Sequence, residues 1–198
     1  MRFALLQTLI VATFASGAAV AGEDHDGTTA ILESTRAFCQ FELGGAVDPD
    51  RRKALVVFSG TRLKELSDTL GGLDPYVFEW KSAPLVVVSA CDVISTARTG
   101  ESATALVRYT ELARRDAWNG AIHSGAETAV DVPLLLRHAP DGWRVSNPGA
   151  PHLSRETLIQ LYRGVLDELP RKWALTASVA QLSNLRDDLG TLLLLESL

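Results

Sequence analysis

Apolar residues recur at helical spacing in the first third of the chain. Between Thr28 and Leu43 they fall three and four positions apart, and a pair of glycines ends the run. Asp48 then offers a capping carboxylate directly before Pro49, a residue favoured in the first turn of a helix. A second apolar stripe follows and ends at another glycine pair. The pattern predicts helices over Thr28–Leu43 and Pro49–Leu70.

The pattern changes from helical to alternating after this second helix. Tyr76, Phe78 and Trp80 share one face of a predicted strand, which gives that strand an aromatic stripe. Two hairpins follow, separated by a polar, glycine-rich segment that predicts a loop over Ala113–Glu127. The hairpin strands are predicted, in chain order, at Leu85–Ala97, Ser102–Leu112, Thr128–His138 and Gly142–Ser146. We therefore expect a sheet of about four to five strands, mostly antiparallel.

The last part of the chain is helical again. Ser154 can cap a helix with its side-chain oxygen, and Leu153 and Leu158 have the spacing of a hydrophobic staple. Pro170 is expected to interrupt this helix, and a further apolar stripe predicts another helix over Lys172–Leu189. Helices, hairpins and helices in this order predict an α+β fold with a C-terminal helical extension.

The first residues have the composition of a secretory signal peptide. A basic residue precedes an almost wholly apolar run, Phe3–Phe14, and small residues at Ala19 and Ala21 form a cleavage pattern. We expect cleavage after Ala21, which leaves residues 22–198 as one periplasmic or secreted domain. The alternative, a membrane anchor, fits less well because Gln7 and Thr8 interrupt a run that is short for a bilayer span.

The charge of the chain argues against two classes of partner. Its 19 Lys and Arg stand against 24 Asp and Glu, and cleavage of the leader would remove Arg2. A mature net charge of about −6 gives no attraction to nucleic-acid phosphates or to an anionic membrane surface. We expect neither nucleic-acid binding nor stable membrane insertion after cleavage.

The two cysteines, Cys39 and Cys91, leave two interpretations open. In an oxidising compartment they can form a disulfide that closes a long loop. Alternatively, both are buried thiols, because one falls in a predicted helix and the other in a predicted strand.

The final predicted hairpin carries a family resemblance. Its sequence, DVPLLLRHAPDGWRV, ends in Asp141, Gly142, Trp143, Arg144 and Val145. With the order of elements over Thr28–Ser146, it resembles the SnoaL-like, nuclear transport factor 2-like superfamily. The resemblance implies a curved sheet wrapped around N-terminal helices, a cone with an apolar pocket, and a homodimer through the outer sheet face as one option. That superfamily contains isomerases, dehydratases and epoxide hydrolases as well as proteins that only bind, so it does not select a function.

One pair of residues is a candidate for acid/base chemistry in such a cone. Alternation from Val86 through Val88 places Asp92 on an apolar face, and Tyr109 in the neighbouring strand offers a hydrogen-bond donor. The alternative is that Asp92 is simply solvated. Asp131, between two valines that we expect in the core, is predicted to be exposed.

Four aromatic residues are candidates for lining a ligand pocket. They are Phe38, Tyr76, Phe78 and Trp80. An aromatic stripe is equally typical of an ordinary core, and that alternative stays open.

The sequence offers one metal motif to weigh and no pattern for an organic cofactor. If the leader were cut after Gly22, the mature chain would begin with Glu23, Asp24 and His25, whose amine, backbone nitrogens and imidazole suit Cu(II) or Ni(II); the alternative is a solvated acidic leader. His123, His138 and His152 lack the close spacing of a tetrahedral site, and the last two are predicted at the surface. No glycine-rich phosphate loop or G-x-S-x-G nucleophile motif is present. We therefore expect no metal and no cofactor.

Three functions fit these observations. The first is a binding or accessory protein whose pocket takes a small apolar ligand or lipid, or whose sheet meets a protein partner. The second is a cofactor-independent isomerase- or dehydratase-type enzyme using Asp92 and Tyr109. The third is a module that only binds protein.

Overall fold

The computed structural model describes residues 24–72, 74–78, 80–81, 83–116, 121–172 and 179–198. The predicted signal peptide lies outside these residues. Five helices and six strands are found in the part of the chain that is described. The helices are α1 Asp24–Leu43, α2 Pro49–Leu55, α3 Gly60–Thr69, α4 Arg155–Lys172 and α5 Val179–Ser197. The strands are β1 Val56–Val57, β2 Leu85–Thr99, β3 Ser102–Arg115, β4 Ile122–Ala139, β5 Gly142–Ser146 and β6 His152–Ser154.

The strands form a mixed sheet, curled into a half-barrel, in the order β1-β5-β4-β3-β2-β6. Strands β2 to β5 pair with one another antiparallel in chain order, as predicted, and the hairpin turn between β2 and β3 uses Gly100 at φ 62°. The short edge strands β1 and β6, which were not predicted, pair in parallel with β5 and β2. The α+β prediction, with its mostly antiparallel sheet and C-terminal helices, is confirmed.

Helix α1 fills the concave side of the sheet. Ile31 and Phe38 are almost completely buried, and they belong to one core with residues of β2, β3, β4 and β5. Cys39 of α1 forms a disulfide with Cys91 of β2, with their Cα atoms 6.0 Å apart. The structure therefore agrees with the disulfide and not with two buried thiols.

A second core lies on the opposite face of the sheet, at its β2 and β6 end. Leu85 and Val87 of β2 pack there with Leu153 of β6, Leu158 of α4 and other residues of α4 and α5. Ser154 Oγ accepts a hydrogen bond from the Thr157 N–H at 3.1 Å, so the predicted cap of α4 is present. The C-terminal helices therefore cover one end of the outer sheet face.

The predicted second helix is wrong in its middle. Val56 and Val57 leave the helix and pair with β5, because a β-branched run can satisfy its backbone at that sheet edge while burying Val56 and Phe58. Ser59 then starts α3, with its Oγ accepting a hydrogen bond from the Arg62 N–H.

The predicted aromatic strand is not part of the sheet. Tyr76, Phe78 and Trp80 lie in turns and irregular structure before β2. The buried side chain of Arg115 explains the arrangement, because it donates hydrogen bonds to the carbonyl oxygens of Trp80 and Ala83. The Arg115 guanidinium thus satisfies backbone carbonyls that a neighbouring strand would otherwise bond.

Four element boundaries also differ from prediction. Strand β3 extends to Arg115 and β4 begins at Ile122, so both strands continue into the predicted loop. Helix α4 continues past Pro170 to Lys172, so the predicted interruption at this proline is not seen. Helix α5 is described over Val179–Ser197 and continues past the predicted end at Leu189, while the first part of the predicted helix, residues 173–178, lies outside the described residues.

Candidate functional site

The structure does not bring Asp92 and Tyr109 together. Cys91 pairs with Tyr109, whereas Asp92 pairs with Arg108, and directly paired residues point to the same side of a sheet. The cause is a β-bulge around Ser89, which adds one residue to β2 and reverses the alternation that begins at Val86. Asp92 is consequently exposed on the convex face, while Tyr109 is buried on the concave face.

Tyr109 instead meets two groups that sequence reasoning missed. Its hydroxyl donates a hydrogen bond of 3.1 Å to Glu42 Oε2, and His152 Nδ1 lies 3.5 Å from the same oxygen. The His152 ring stacks on Tyr109 with 3.7 Å between ring centroids. The prediction that His152 is a surface residue is wrong, because β6 carries it against β2 and leaves it 9% exposed. His138 is exposed, as predicted.

A signal for Glu42 was present in the sequence. Thr35, Phe38, Cys39 and Glu42 follow the spacing of one helix face, and all four are buried. A carboxylate in an otherwise apolar stripe needs a donor, and Tyr109 supplies it. No local pattern in the sequence pointed to β6, so His152 could not be found in this way.

This polar cluster is enclosed. Burial and the neighbouring Glu42 raise the pKa of Tyr109 above its usual value. Burial lowers the pKa of Arg52, an effect that Glu42 opposes. The cleft beside Glu42 is too narrow for a water molecule. The groups suit proton transfer chemically, but a substrate would need this cleft to open first.

The four aromatic pocket candidates are divided between the two cores. Phe38 belongs to the core on the concave side, and Tyr76 packs against the same core beside Phe58, with ring centroids 5.3 Å apart. Phe78 and Trp80 pack against the core under α4 and α5. These four residues therefore do not line one common pocket.

A larger space opens where β5 ends. Asn147 has a φ of 48°, and its N–H donates to the Val57 carbonyl while its Oδ1 accepts from the Ser59 N–H. These bonds turn the chain away from β4 after Ser146. A hollow of about 490 Å³ lies between β4 and the departing segment.

This hollow adjoins the edge of β4 and also reaches the β2–β3 hairpin, where Thr99 and Ser102–Thr104 are among its lining residues. Its lining includes every residue from Val132 to Arg137, so side chains from both faces contribute. On the other side it is bounded by the segment Val145–Gly149. Strand β5 pairs only with Leu136–Ala139 of β4, and within the described residues the eight residues Thr128–Leu135 have a strand partner on the β3 side alone.

The convex face beside this edge carries a row of charges across three strands. Arg108 donates two hydrogen bonds to Asp131, of 2.7 and 2.9 Å, and Asp92 pairs with Arg108 on its other side. The Arg108 guanidinium lowers the pKa of Asp131. Asp131 is exposed, as its alternation with the neighbouring valines predicted.

The chain was compared with family models, curated proteins and solved structures. None of them matches it. The resemblance to the SnoaL-like superfamily therefore stays a prediction.

Three further features bear on the site and on the compartment of the protein. In the ranges that the structure describes, no three His, Cys, Asp or Glu side chains are grouped so that they could hold a metal ion. Among the same residues, no helix has the length and apolar character required to cross a membrane. The Cys39–Cys91 disulfide is consistent with an oxidising compartment.

Proposed function

We propose that this protein is a periplasmic or secreted accessory protein that binds a partner polypeptide through its sheet. The observation that carries the proposal is that the concave side of the sheet is filled, whereas there is open space beside strand β4. Side chains of α1, chiefly Ile31 and Phe38, occupy the concave side where a SnoaL-like cone would hold a ligand. The roomier space lies instead at the edge of β4.

The disulfide supports the same proposal in two ways. It is a bond of oxidising compartments, and it fastens α1 to β2, so the helix is held in the place that a ligand would need. A carrier of lipids or small apolar molecules would have to displace a covalently tethered helix. A protein that binds at its sheet edge needs no such movement.

Native mass spectrometry of the mature protein, secreted and purified without added ligand, tests the proposal. We expect the mass of the disulfide-bonded polypeptide with no small molecule retained, in agreement with the mass of the denatured sample. A lipid or other small molecule that is present under native conditions and lost on denaturation would overturn the proposal and favour a carrier.

A second function, acid/base catalysis, is favoured by one specific observation: Glu42 faces both a hydroxyl donor and an imidazole. The enzyme hypothesis would then rest on Glu42, His152 and Tyr109 rather than on Asp92. It requires solvent or substrate to reach Glu42.

Carbodiimide-driven labelling of carboxylates, read by peptide mass spectrometry, separates the two functions. Asp92, an exposed carboxylate of the same domain, is the matched control. A closed interior predicts labelling of Asp92 and none of Glu42. Comparable labelling of both would show that the cleft opens and would favour the enzyme.

A further inference from the structure

We propose that the partner binds by adding an extended segment as a strand along the free edge of β4, over Thr128–Leu135. This inference rests on the proposed function and specifies its mode of recognition. The edge has three properties that suit strand addition: a regular row of backbone groups without a strand partner among the described residues, adjoining space, and apolar side chains on both faces.

The direction of the backbone groups follows from two residues. The N–H of a residue and its C=O point to the same side of a strand, and the side alternates along the chain. His138 donates its N–H to the Glu101 carbonyl, on the β3 side. Pro133 is an odd number of residues away from His138, so its backbone groups point to the opposite side, the free edge. Proline has no N–H and is tolerated at such an edge.

The same alternation assigns the rest of the edge. Pairing with β3 is regular from Thr128 to Arg137, so no bulge changes the parity within this stretch. The outward-directed N–H groups are those of Ala129, Asp131 and Leu135, and the outward-directed carbonyls that lie beyond the pairing with β5 are those of Ala129, Asp131 and Pro133. An extended peptide can pair with these groups at strand spacing.

The side chains along the edge define the chemistry of the added strand. Leu135 is 59% exposed on the convex side, and Val132 is half-buried on the concave side. Asp131 already pairs with Arg108, so it does not require a cation from the partner. We expect a segment with apolar residues opposite Val132 and Leu135, without proline at the positions that pair with Ala129 and Asp131.

A single extended segment fits this edge better than a second copy of the chain. The regular edge is short, since it ends at β5 on one side and at a register break just before Thr128 on the other. If a second copy paired through the same edge, its own Pro133, which cannot donate a hydrogen bond, would lie in the new ladder. Its Ser146–Gly149 segment would lie beside the new ladder as well. Pairing of two copies is accordingly an outcome that the test must distinguish.

The test uses the full mature protein and a phage-displayed library of linear twelve-residue peptides. The tightest peptide is synthesised, and its affinity is measured for the wild type and for two pairs of variants. Ala129→Pro and Leu135→Pro each remove one outward N–H without breaking a bond to β3. Ala129→Val and Leu135→Ala are the matched controls, because they change the side chain and keep the N–H. Thermal unfolding checks that every variant is folded.

Strand addition predicts that each proline variant binds the peptide roughly three- to tenfold more weakly than its matched control, the effect of one lost backbone hydrogen bond. The amides of Ala129, Asp131 and Leu135 should gain protection from hydrogen exchange on binding. Equal affinities within each folded pair, protection confined to another surface, or no selected peptide would overturn the inference.

Two outcomes separate this inference from the proposed function. A peptide that binds at another surface leaves protein binding standing and refutes strand addition. A protein that is dimeric without peptide, with the Ala129 and Leu135 amides already protected, assigns the edge to a second copy and likewise refutes it. A retained small molecule in the native mass spectrum would refute the proposed function itself.

Discussion

The Cys39–Cys91 disulfide should account for a large part of the stability of the fold. The two residues are 52 positions apart in the chain, and Cys39 is 3% exposed inside the concave core. In the chain-entropy treatment, closing a loop of that length in the unfolded state stabilises the folded protein by about 4 kcal/mol. Domains are typically stable by only ~5–15 kcal/mol in total. Removing the bond should therefore leave a folded but marginal protein.

Urea unfolding of the wild type and of the Cys39→Ala/Cys91→Ala double variant measures this contribution. Fluorescence of the buried Trp143 can report the transition, together with circular dichroism at the helical band. We expect the free energy of unfolding of the double variant to be lower by about 4 kcal/mol. Wild-type protein unfolded in a thiol reductant is the control, and its stability should fall by a similar amount.

The reasoning would be refuted by a loss below about 1 kcal/mol in a protein whose disulfide is verified by mass. Such a result would show that the disulfide confines the unfolded chain little, or that α1 is held in place by its side-chain packing alone. The claim that a tethered helix keeps the concave side closed would then lose its support.

Three further predictions concern polar contacts. Tyr109→Phe removes the donor to the buried Glu42 and should lower the free energy of unfolding by about 1–3 kcal/mol in urea titrations, since a buried acceptor is left unsatisfied; an unchanged value would contradict that bond. The folded pKa of Asp131 is depressed, so its stabilisation is present above its unfolded pKa of about 4 and is lost as the pH falls through the folded value. Asp131→Asn should therefore flatten the acid side of a plot of thermal midpoint against pH, and an unaltered profile would refute the contribution of Arg108. Ser154→Ala should cost about 1 kcal/mol through loss of the α4 cap, whereas Ser154→Asp should retain most of it.

The sequence predicted those parts of the fold that depend on local periodicity. The two hairpins, helix α1, and the cap of α4 at Ser154 all follow from spacing and capping chemistry within a few residues. Val56–Val57 escaped prediction because their partner, β5, lies far along the chain. A helical stripe and a short edge strand cannot be distinguished until that partner is known.

The candidate site was harder to predict because its geometry depends on bulges and on distant contacts. One extra residue near Ser89 places Asp92 on the opposite face of the sheet from Tyr109. The facing of Asp92 was predicted from alternation along the strand, and alternation gives no sign of an inserted residue. Glu42 had a recognisable signal in the apolar stripe of α1. His152 had none, since only the parallel pairing of β6 with β2 brings it to Tyr109.

The free edge of β4 also has a partial sequence signal. Pro133 within a predicted strand indicates an edge position, because proline cannot donate to a sheet ladder. The early departure of β5 could not be predicted in the same way. It depends on Asn147 bonding to Val57 and Ser59, which are nearly ninety residues away along the chain.

The most direct test of the account is residue-resolved amide hydrogen exchange of the free mature protein, measured by NMR. An open β4 edge predicts alternating protection from residue 129 to residue 135. The amides of Ala129, Asp131 and Leu135 should exchange rapidly, while those of Val130, Val132 and Leu134 should be protected by β3. Uniformly slow exchange along this stretch would show that the edge is already covered, and would contradict the proposal that it is the binding site for a partner strand.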